Sequence, residues 1–167
     1  MRIADVMTEN PICCIPSDSA QVAALIMRDE GVGIVPIVGS DKNRVLIGVV
    51  TDRDLCLAAI AQRHEVLTAE GQDPATVPIE RYMTSSVVSC HPDDDLDRAL
   101  RLMKENRVRR IVVVDEQNVI HGVVSLADLV RRAHIPPEML VETLAQICEP
   151  PANESKAKAE SASERLG

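Results

Sequence analysis

An internal duplication limits the folds open to this sequence. Met7-Thr8 recurs as Met83-Thr84, 76 positions later, and the same offset aligns a series of prolines, aspartates and apolar residues. After a two-residue shortening the offset is 74, and Gly-Val-Val-Thr at 48–51 aligns with Gly-Val-Val-Ser at 122–125. Because a colinear match over some 50 residues is hard to obtain by chance, the chain contains two copies of one structural unit.

Each copy shows the same succession of predicted elements. Apolar runs typical of strands occupy residues 12–15, 34–38 and 45–50 in the first copy and 87–90, 111–114 and 119–124 in the second. Asp18 and Asp94 stand where helix N-caps are expected. Gly31 and Asn106 suit the positive φ that ends such helices. The sequence therefore predicts two β-α-β-β-α units, an α/β (α+β) fold whose continuous apolar strands are covered on both faces.

Composition limits the functions open to the chain. Its 167 residues are 46% hydrophobic but include a single aromatic, Tyr82, and the net charge is −8. Such a chain neither attracts nucleic acid electrostatically nor stacks unpaired bases. No apolar run approaches the roughly 20 residues of a membrane helix, and no signal-peptide pattern opens the sequence. The five cysteines lack C-x-x-C spacing, so we expect a cytoplasmic protein with reduced thiols.

The segments outside the two copies have their own composition. We expect the first domain over residues 3–61, a polar linker over 62–81 and the second domain over 82–134. Apolar residues at helical spacing then predict a short helix within 135–149. The remainder, 150–167, consists mostly of Ala, Ser, Glu and Lys, and we expect it to be disordered.

A motif at the end of the last strand of each copy could carry chemistry. It reads Gly-Val-Val-Thr-Asp-Arg-Asp over residues 48–54 and Gly-Val-Val-Ser-Leu-Ala-Asp over 122–128. One interpretation is structural, because Thr-x-x-Asp and Ser-x-x-Asp can act as helix capping boxes. The other is ligand binding. Helix N-terminal N–H groups attract an anion, and a carboxylate can accept both hydrogen bonds of a ribose diol.

The duplicated unit, its Met-Thr opening, this motif and Val-Arg-Arg-Ile-Val-Val-Val-Asp at 108–115 resemble a tandem pair of CBS domains, or Bateman module. The resemblance covers about residues 3–134. It implies two units, related by a pseudo-twofold axis, that meet through their sheets and leave two clefts between them. Many members bind AMP, ADP, ATP or S-adenosylmethionine there, and some bind NAD.

The resemblance also implies which residues line each cleft. In the family, each cleft takes its hydroxyl and carboxylate from one copy and its base-holding segment from the other. The first cleft would contain Val50, Thr51, Arg53, Asp54, Thr84, Val88, Ser89, Arg109 and Arg110. The second would contain Thr8, Ile12, Cys13, Ile34, Val124, Ser125 and Asp128. With so few aromatics, adenine would lie between aliphatic walls.

The two clefts differ in their expected charge. Arg53 lies within the first motif, where the second copy has alanine. Arg110 matches a family position whose cation reaches phosphates, and its counterpart in the first copy is apolar. We therefore expect the first cleft to gather Arg53, Arg109 and Arg110 and to prefer a charged nucleotide, and the second to have no arginine from these positions. The alternative for Arg109 and Arg110 is a solvated strand edge or an ion pair.

Other reactive residues have simpler structural explanations. Cys90-His91 could be half of a metal site, but it also suits a strand end followed by a turn. Cys13 could have a redox role, although a small apolar strand residue suits packing. The aspartates at 93–95 fit the beginning of a helix. We expect no catalytic residue and no metal site.

The function predicted from the sequence is a regulatory module that binds an adenine nucleotide or adenosine derivative between its two copies. Its signal would pass through an effector protein or through self-association as a homodimer. We expect no enzymatic activity, catalytic cofactor, nucleic-acid partner or membrane contact. Two alternatives stay open: an interaction module with empty clefts, and a thiol- or metal-dependent enzyme using Cys13, Cys90 and His91.

Overall fold

A computed structural model describes residues 1–60, 73–133 and 135–149. The helices in these ranges are α1 (Ala20–Glu30), α2 (Asp52–Ile60), α3 (Leu96–Asn106), α4 (Leu126–Arg132) and α5 (Pro137–Cys148). The strands are β1 (Thr8–Glu9), β2 (Ile34–Val38), β3 (Leu46–Thr51), β4 (Ser89–Cys90), β5 (Arg110–Val114) and β6 (Ile120–Ser125). This order confirms the predicted α/β class. Residues 62–72 of the predicted linker and the predicted disordered tail, 150–167, lie outside the described residues.

None of the helices described is both long and apolar enough to cross a bilayer.

Each copy contributes an antiparallel hairpin, as its two β-branched runs predict. In the first copy β2 pairs with β3, beginning with Ile34 opposite Thr51. In the second copy β5 pairs with β6, beginning with Arg110 opposite Ser125. Both hairpins shift register at the equivalent point, near the end of their first strand. The hairpins belong to separate sheets, one of order β1-β6-β5-β4 and one of β2-β3.

Helices α1 and α3 begin one residue later than the sequence predicts. Ser19 and Asp95 are the N-caps, and each accepts a hydrogen bond from the backbone N–H three residues later. Asp18 and Asp94 instead each accept a backbone N–H three residues earlier, at 2.8 Å. That bond closes the turn before the helix, so the predicted caps serve as turn residues.

The two helices end differently. Gly31 ends α1 with φ 64°, as its lack of a Cβ allows. The corresponding cap of α3 is Arg107, with φ 53°, so the prediction that Asn106 fills this role is wrong and Asn106 is the last helical residue. The left-handed conformation turns the chain at Arg107 beside a cavity between the two copies.

The segment that opens each copy, residues 3–9 in the first and 79–84 in the second, packs against the other copy. We call this arrangement the exchange of the opening segments. The N–H of Ile3 donates to the carbonyl of Asp94 at 2.9 Å, and at the equivalent point the N–H of Ile79 donates to the carbonyl of Asp18 at 2.7 Å. Strand β1, from the first copy, pairs with β6 of the second. A bridge at Thr84 likewise pairs the second opening segment with β3. Each copy is therefore completed by the other.

Two glycines permit this exchange. A Cβ on Gly122 would lie 2.6 Å from Sδ of Met7 and 2.9 Å from the carbonyl oxygen of Thr8. A Cβ on Gly48 would lie 2.9 Å from Sδ of Met83 in the other opening segment. Because real Cβ atoms do not approach so closely, the glycine of each motif is required by the neighbouring chain.

The core consists of three apolar clusters. The cluster of the first copy contains Ile79, and the cluster of the second contains Ile3, so each receives a fully buried residue from the other copy's opening segment. The third cluster lies between the two hairpins and contains Ile34, Val38, Leu46, Val49, Val112, Val114, Ile120 and Val123. The two copies thus meet through their sheets, and members of this third cluster reach the surface at two cavities.

Candidate functional site

Two cavities lie between the copies, one beside each Thr/Ser-x-x-Asp motif. The Asp54 cavity has a volume of about 510 Å³ and the Asp128 cavity about 490 Å³. Each takes its hydroxyl and carboxylate from one copy and a residue of the exchanged opening segment, Thr84 or Thr8, from the other. Their volumes lie within the range of small-molecule sites.

The structure brings most of the sequence-predicted site residues to these cavities. The Asp54 cavity is lined by Thr51, Arg53, Asp54, Thr84, Val88, Arg109 and Arg110 from the set predicted for the first cleft. The Asp128 cavity is lined by Thr8, Ile12, Ile34, Ser125 and Asp128 from the set predicted for the second. The predicted residues not lining them are Val50, Ser89, Cys13 and Val124.

Strand alternation explains two of these differences. Val50 and Val124 are fully buried in the cores of their own copies. Because successive side chains of a strand point to opposite faces, their neighbours Val49 and Val123 face the cavities instead. The aliphatic wall is thus one residue out of register with the sequence prediction.

The other two residues that do not line a cavity, Ser89 and Cys13, make different contacts. Ser89 lies in β4, opposite Val112 of β5. The thiol of Cys13 donates to the carbonyl oxygen of Pro11 at 3.3 Å and lies 3.5 Å from Nη2 of Arg44. Burial raises the pKa of the Cys13 thiol, against the smaller opposing effect of the Arg44 charge.

Asp54 is oriented by reciprocal hydrogen bonds with Thr51. Its Oδ2 accepts the N–H of Thr51 at 2.9 Å and the hydroxyl at 2.7 Å, and the Asp54 N–H donates back to Oγ1 at 3.3 Å. These bonds form a capping box in which Asp replaces Glu. Oδ1 accepts no hydrogen bond from the part of the chain that the structure describes. The cap therefore leaves one carboxylate oxygen available for a ligand.

Asp128 has the same cap but a further partner. Its Oδ2 accepts the N–H and hydroxyl of Ser125 at 3.0 and 2.5 Å, and its Oδ1 lies 3.0 Å from Nη2 of Arg131. Burial raises the pKa of Asp128, but the bonds from Ser125 and Arg131, with the nearby charge of Arg132, outweigh it. The pKa of Asp128 is therefore below its ordinary value.

The lining side chains give the two cavities opposite charge. The Asp54 cavity has four arginines and two carboxylates, namely Arg53, Arg107, Arg109, Arg110, Asp52 and Asp54. The Asp128 cavity has two arginines and three carboxylates, namely Arg110, Arg131, Glu9, Glu30 and Asp128. An anionic ligand is therefore favoured electrostatically in the Asp54 cavity.

Arg110 lines both cavities, which differs from the expectation that the second has no arginine from this position. Its guanidinium packs against the backbone of Gly33, where a Cβ would lie 2.6 Å from Nη2 of Arg110 and 2.7 Å from Oδ2 of Asp52. The missing side chain at position 33 leaves the space through which Arg110 faces the second cavity.

Val49, Val123, Arg131 and Arg107 are among the lining residues that sequence reasoning missed. Strand alternation places Val49 and Val123 on the face opposite Val50 and Val124, but it does not say which face lines a cavity. Arg131 could have been found from its position three residues after Asp128 on a helix. Arg107 aligns with Gly31 at the offset of 76, which indicates the helix end, but nothing in its sequence position indicates that it lines the cavity.

The structure gives no support to metal binding at Cys90-His91. No group of three or more His, Cys, Asp or Glu residues within 1–60, 73–133 and 135–149 could hold a metal ion. Burial, together with the charge of Asp94, raises the pKa of the Cys90 thiol to about 12. Burial and Asp18 raise that of Cys14 to about 12 as well. Both thiols are therefore protonated at neutral pH.

Curated proteins match this chain over most of its length. The CBS domain family model matches residues 3–61 and 79–135. The CBS domain-containing protein YhcV of Bacillus subtilis is 35% identical over 127 residues, 76% of this chain and 81% of that protein. Hypoxic response protein 1 of Mycobacterium tuberculosis is 30% identical over 148 residues, 89% of this chain and 94% of that protein.

Solved structures share the fold. The crystal structure of CBSX2 in complex with AMP has a TM-score of 0.66 and 27% identity, and the match covers 79% of this chain and 95% of that one. Hypoxic Response Protein I, solved with two coordinated zinc ions, has a TM-score of 0.62 and 29% identity, covering 81% and 100%. The family model falls once on each copy of the duplication, so the chain belongs to the CBS domain family and carries its domains as a tandem pair.

Proposed function

We propose that this chain is a regulatory module that binds an adenine nucleotide between its two CBS domains, with the Asp54 cavity as the principal site. The observation that carries the proposal is the combination found there: a capped carboxylate with one open oxygen beside four arginines. A ribose diol and a phosphate group are the ligand parts that these groups recognise.

The carboxylate is suited to the ribose. Asp54 is fixed by Thr51 before any ligand arrives, so binding costs little side-chain entropy. Its open Oδ1 can accept from the ribose hydroxyls, and an ionised carboxylate makes the stronger, charge-assisted kind of hydrogen bond.

The arginines are suited to the phosphates. Arg53 lies at the beginning of α2, where the helix N-terminus adds a positive dipole end, and Arg109 and Arg110 reach the same cavity from the other copy. Phosphate binding would therefore draw on both copies at once, which is how a ligand can change their relative arrangement.

The base would be held without aromatic stacking. The aliphatic residues around the Asp54 cavity include Val49, Val88, Val108 and Val112. They offer an apolar wall, and Thr84 can add its hydroxyl, because its backbone N–H and carbonyl are paired with those of Val49. The AMP complex of CBSX2, which is 27% identical, supports AMP as the first ligand to test, with ADP, ATP, S-adenosylmethionine and NAD as further candidates.

The output of binding is also part of the proposal. Apolar side chains are exposed on four of the helices described, among them Val22 and Leu25 of α1, Leu57 of α2, Val130 of α4 and Val141 of α5. We propose that a homodimer partner or an effector protein binds these faces. We also propose that the protein is cytoplasmic and that its domains span residues 3–61 and 82–134. A ligand-free interaction module is the alternative in which these faces are functional and the cavities are not.

Thermal unfolding with added ligand tests the proposal. A ligand that binds only the native state raises stability by RT ln(1 + [L]/Kd), so millimolar AMP should raise the Tm and adenosine should raise it less. The matched variant Asp54→Asn keeps the size of the side chain and should lose most of the AMP effect. If neither AMP nor any other adenosine compound shifts the Tm while the protein still self-associates, the ligand-free alternative is correct.

The enzyme alternative is disfavoured by the thiols. A nucleophilic cysteine requires a lowered pKa and access to substrate. Instead, the pKa of Cys90 is raised and its side chain is almost fully buried. The pKa of Cys13 is raised as well.

A further inference from the structure

The Asp128 cavity carries an ion pair at the atom where the proposed function needs an open acceptor. Oδ2 of Asp128 accepts both bonds from Ser125, and Oδ1 is paired with Arg131 at 3.0 Å. Oδ2 therefore accepts two hydrogen bonds and Oδ1 accepts one. A ribose diol could donate both of its hydrogen bonds to Oδ1 only after this pair has opened.

Among the residues that the structure describes, the first copy has no equivalent of this pair. With the offset of 74, Arg131 corresponds to Leu57, which also follows its aspartate by three residues on a helix. A leucine side chain has no donor, and Leu57 is 48% exposed. The two motifs thus contain the same capped carboxylate. Its Oδ1 is paired with an arginine in the second motif and is open in the first.

The exposure of the two partners indicates which of them can move. The side chain of Asp128 is 7% exposed and fixed by its cap, whereas that of Arg131 is 69% exposed. Arg131 can therefore withdraw into solvent while Asp128 stays in place. Since it lies one helical turn away, it remains within reach of Asp128.

We propose that Arg131 competes with ribose-containing ligands for Asp128 and so lowers the affinity of the Asp128 cavity relative to the Asp54 cavity. This inference rests on the proposed function and assigns Arg131 as the residue that distinguishes the two sites. An ion pair with one exposed partner stabilises by up to about 1 kcal/mol, which corresponds to an affinity change of up to about fivefold.

Calorimetry with AMP on paired variants tests the competition. Asp54→Ala weakens binding at the Asp54 cavity, and adding Arg131→Leu should then tighten AMP binding at the Asp128 cavity by about three- to fivefold. If Asp54→Ala binds too weakly to measure, the second substitution should bring binding into range. Arg101→Leu, which removes an exposed arginine from α3, is the control and should change nothing.

The reciprocal exchange tests the same idea in the other cavity. In an Asp128→Ala background, Leu57→Arg should weaken AMP binding by a similar factor, and Leu57→Ala should not. Unchanged affinity in both exchanges contradicts the competition. Weaker binding on Arg131→Leu also contradicts it, because Arg131 would then contact the ligand. If the unmodified chain binds no AMP, the proposed function itself fails, and this inference with it.

Discussion

At each motif, the same hydrogen bonds cap a helix and hold a carboxylate at the edge of a cavity. Thr51 fixes Asp54 and Ser125 fixes Asp128 with matching donors. The structural and ligand-binding interpretations of the motif are therefore compatible, because the cap uses only Oδ2. What differs between the copies is the partner of Oδ1.

The lowered pKa of Asp128 predicts a pH dependence of stability. A carboxylate whose pKa is lower in the folded state stabilises fully above its unfolded pKa of about 3.9, and the contribution is lost as pH falls through the folded value. Asp128→Asn should therefore reduce the free energy of unfolding at pH 7, and the difference from wild type should shrink below about pH 4. Urea unfolding at several pH values measures this. Asp41→Asn, at an exposed turn, is the control, and a gap that is independent of pH would contradict the prediction.

The rate at which each cysteine is alkylated should depend on whether it is buried. Cys56 and Cys148 are exposed, whereas Cys14 and Cys90 are buried and have thiol pKa values raised to about 12. Iodoacetamide at pH 7.5 should label the first pair rapidly and leave the second pair unlabelled until urea is added, as mass spectrometry of peptides would show. Labelling of native Cys90 as fast as Cys56 would restore the thiol-enzyme alternative.

The role of an individual residue could be predicted from the sequence where that role depends only on its neighbours along the chain. The Thr/Ser-x-x-Asp motifs and Gly31 belong to this group. Arg107 does not, because arginine has no preference for the left-handed φ that it adopts at the end of α3. The choice of Val49 over Val50 required knowing which face of β3 meets the other sheet.

At the scale of elements, the exchanged opening segments set the geometry of both cavities. Strand β1 pairs with β6, and the Thr84 bridge pairs with β3, so each cavity has a wall from each copy. The succession of strands and helices could be predicted from periodicity. The exchange could not be derived from the pattern of apolar residues, because a two-residue strand carries no periodic signal.

Truncation of Ile3 measures how much the exchange contributes to stability. Ile3 is fully buried in the core of the second copy, although it is the third residue of the sequence. Ile3→Ala should lower the free energy of unfolding by about 2–5 kcal/mol, the usual cost of such a cavity. Ile12→Ala, at a half-exposed residue, is the matched control in urea unfolding. Equal losses for the two variants would contradict the exchange.

At the scale of the whole molecule, we expect the two copies to fold as one unit. They share the cluster between their sheets and donate Ile3 and Ile79 to each other's cores. The duplication alone predicts two similar domains. It does not show how extensively the two domains pack against each other, because that depends on the three-dimensional structure. Residues 82–149 expressed alone would lack Ile3 and the partner hairpin, so they should show no cooperative thermal transition in circular dichroism. A sharp transition in this fragment would indicate independent domains.

Charged side chains are distributed unequally between the two cavities. A chain of net charge −8 places four arginines around one of the two cavities described between its copies. This concentration of positive charge on an acidic protein is the main reason to expect a charged nucleotide in that cavity.

Calorimetric titration of AMP into the unmodified protein, Asp54→Ala and Asp128→Ala tests the central claim most directly. Hydrogen bonds to charged groups contribute about 1.5–3 kcal/mol, so loss of Asp54 should weaken AMP binding by about tenfold or more. Asp128→Ala should keep the affinity of the principal site, and adenosine should bind that site more weakly than AMP. Equal losses in the two variants, or no heat of binding with the unmodified protein, would contradict the assignment of the Asp54 cavity as a nucleotide site.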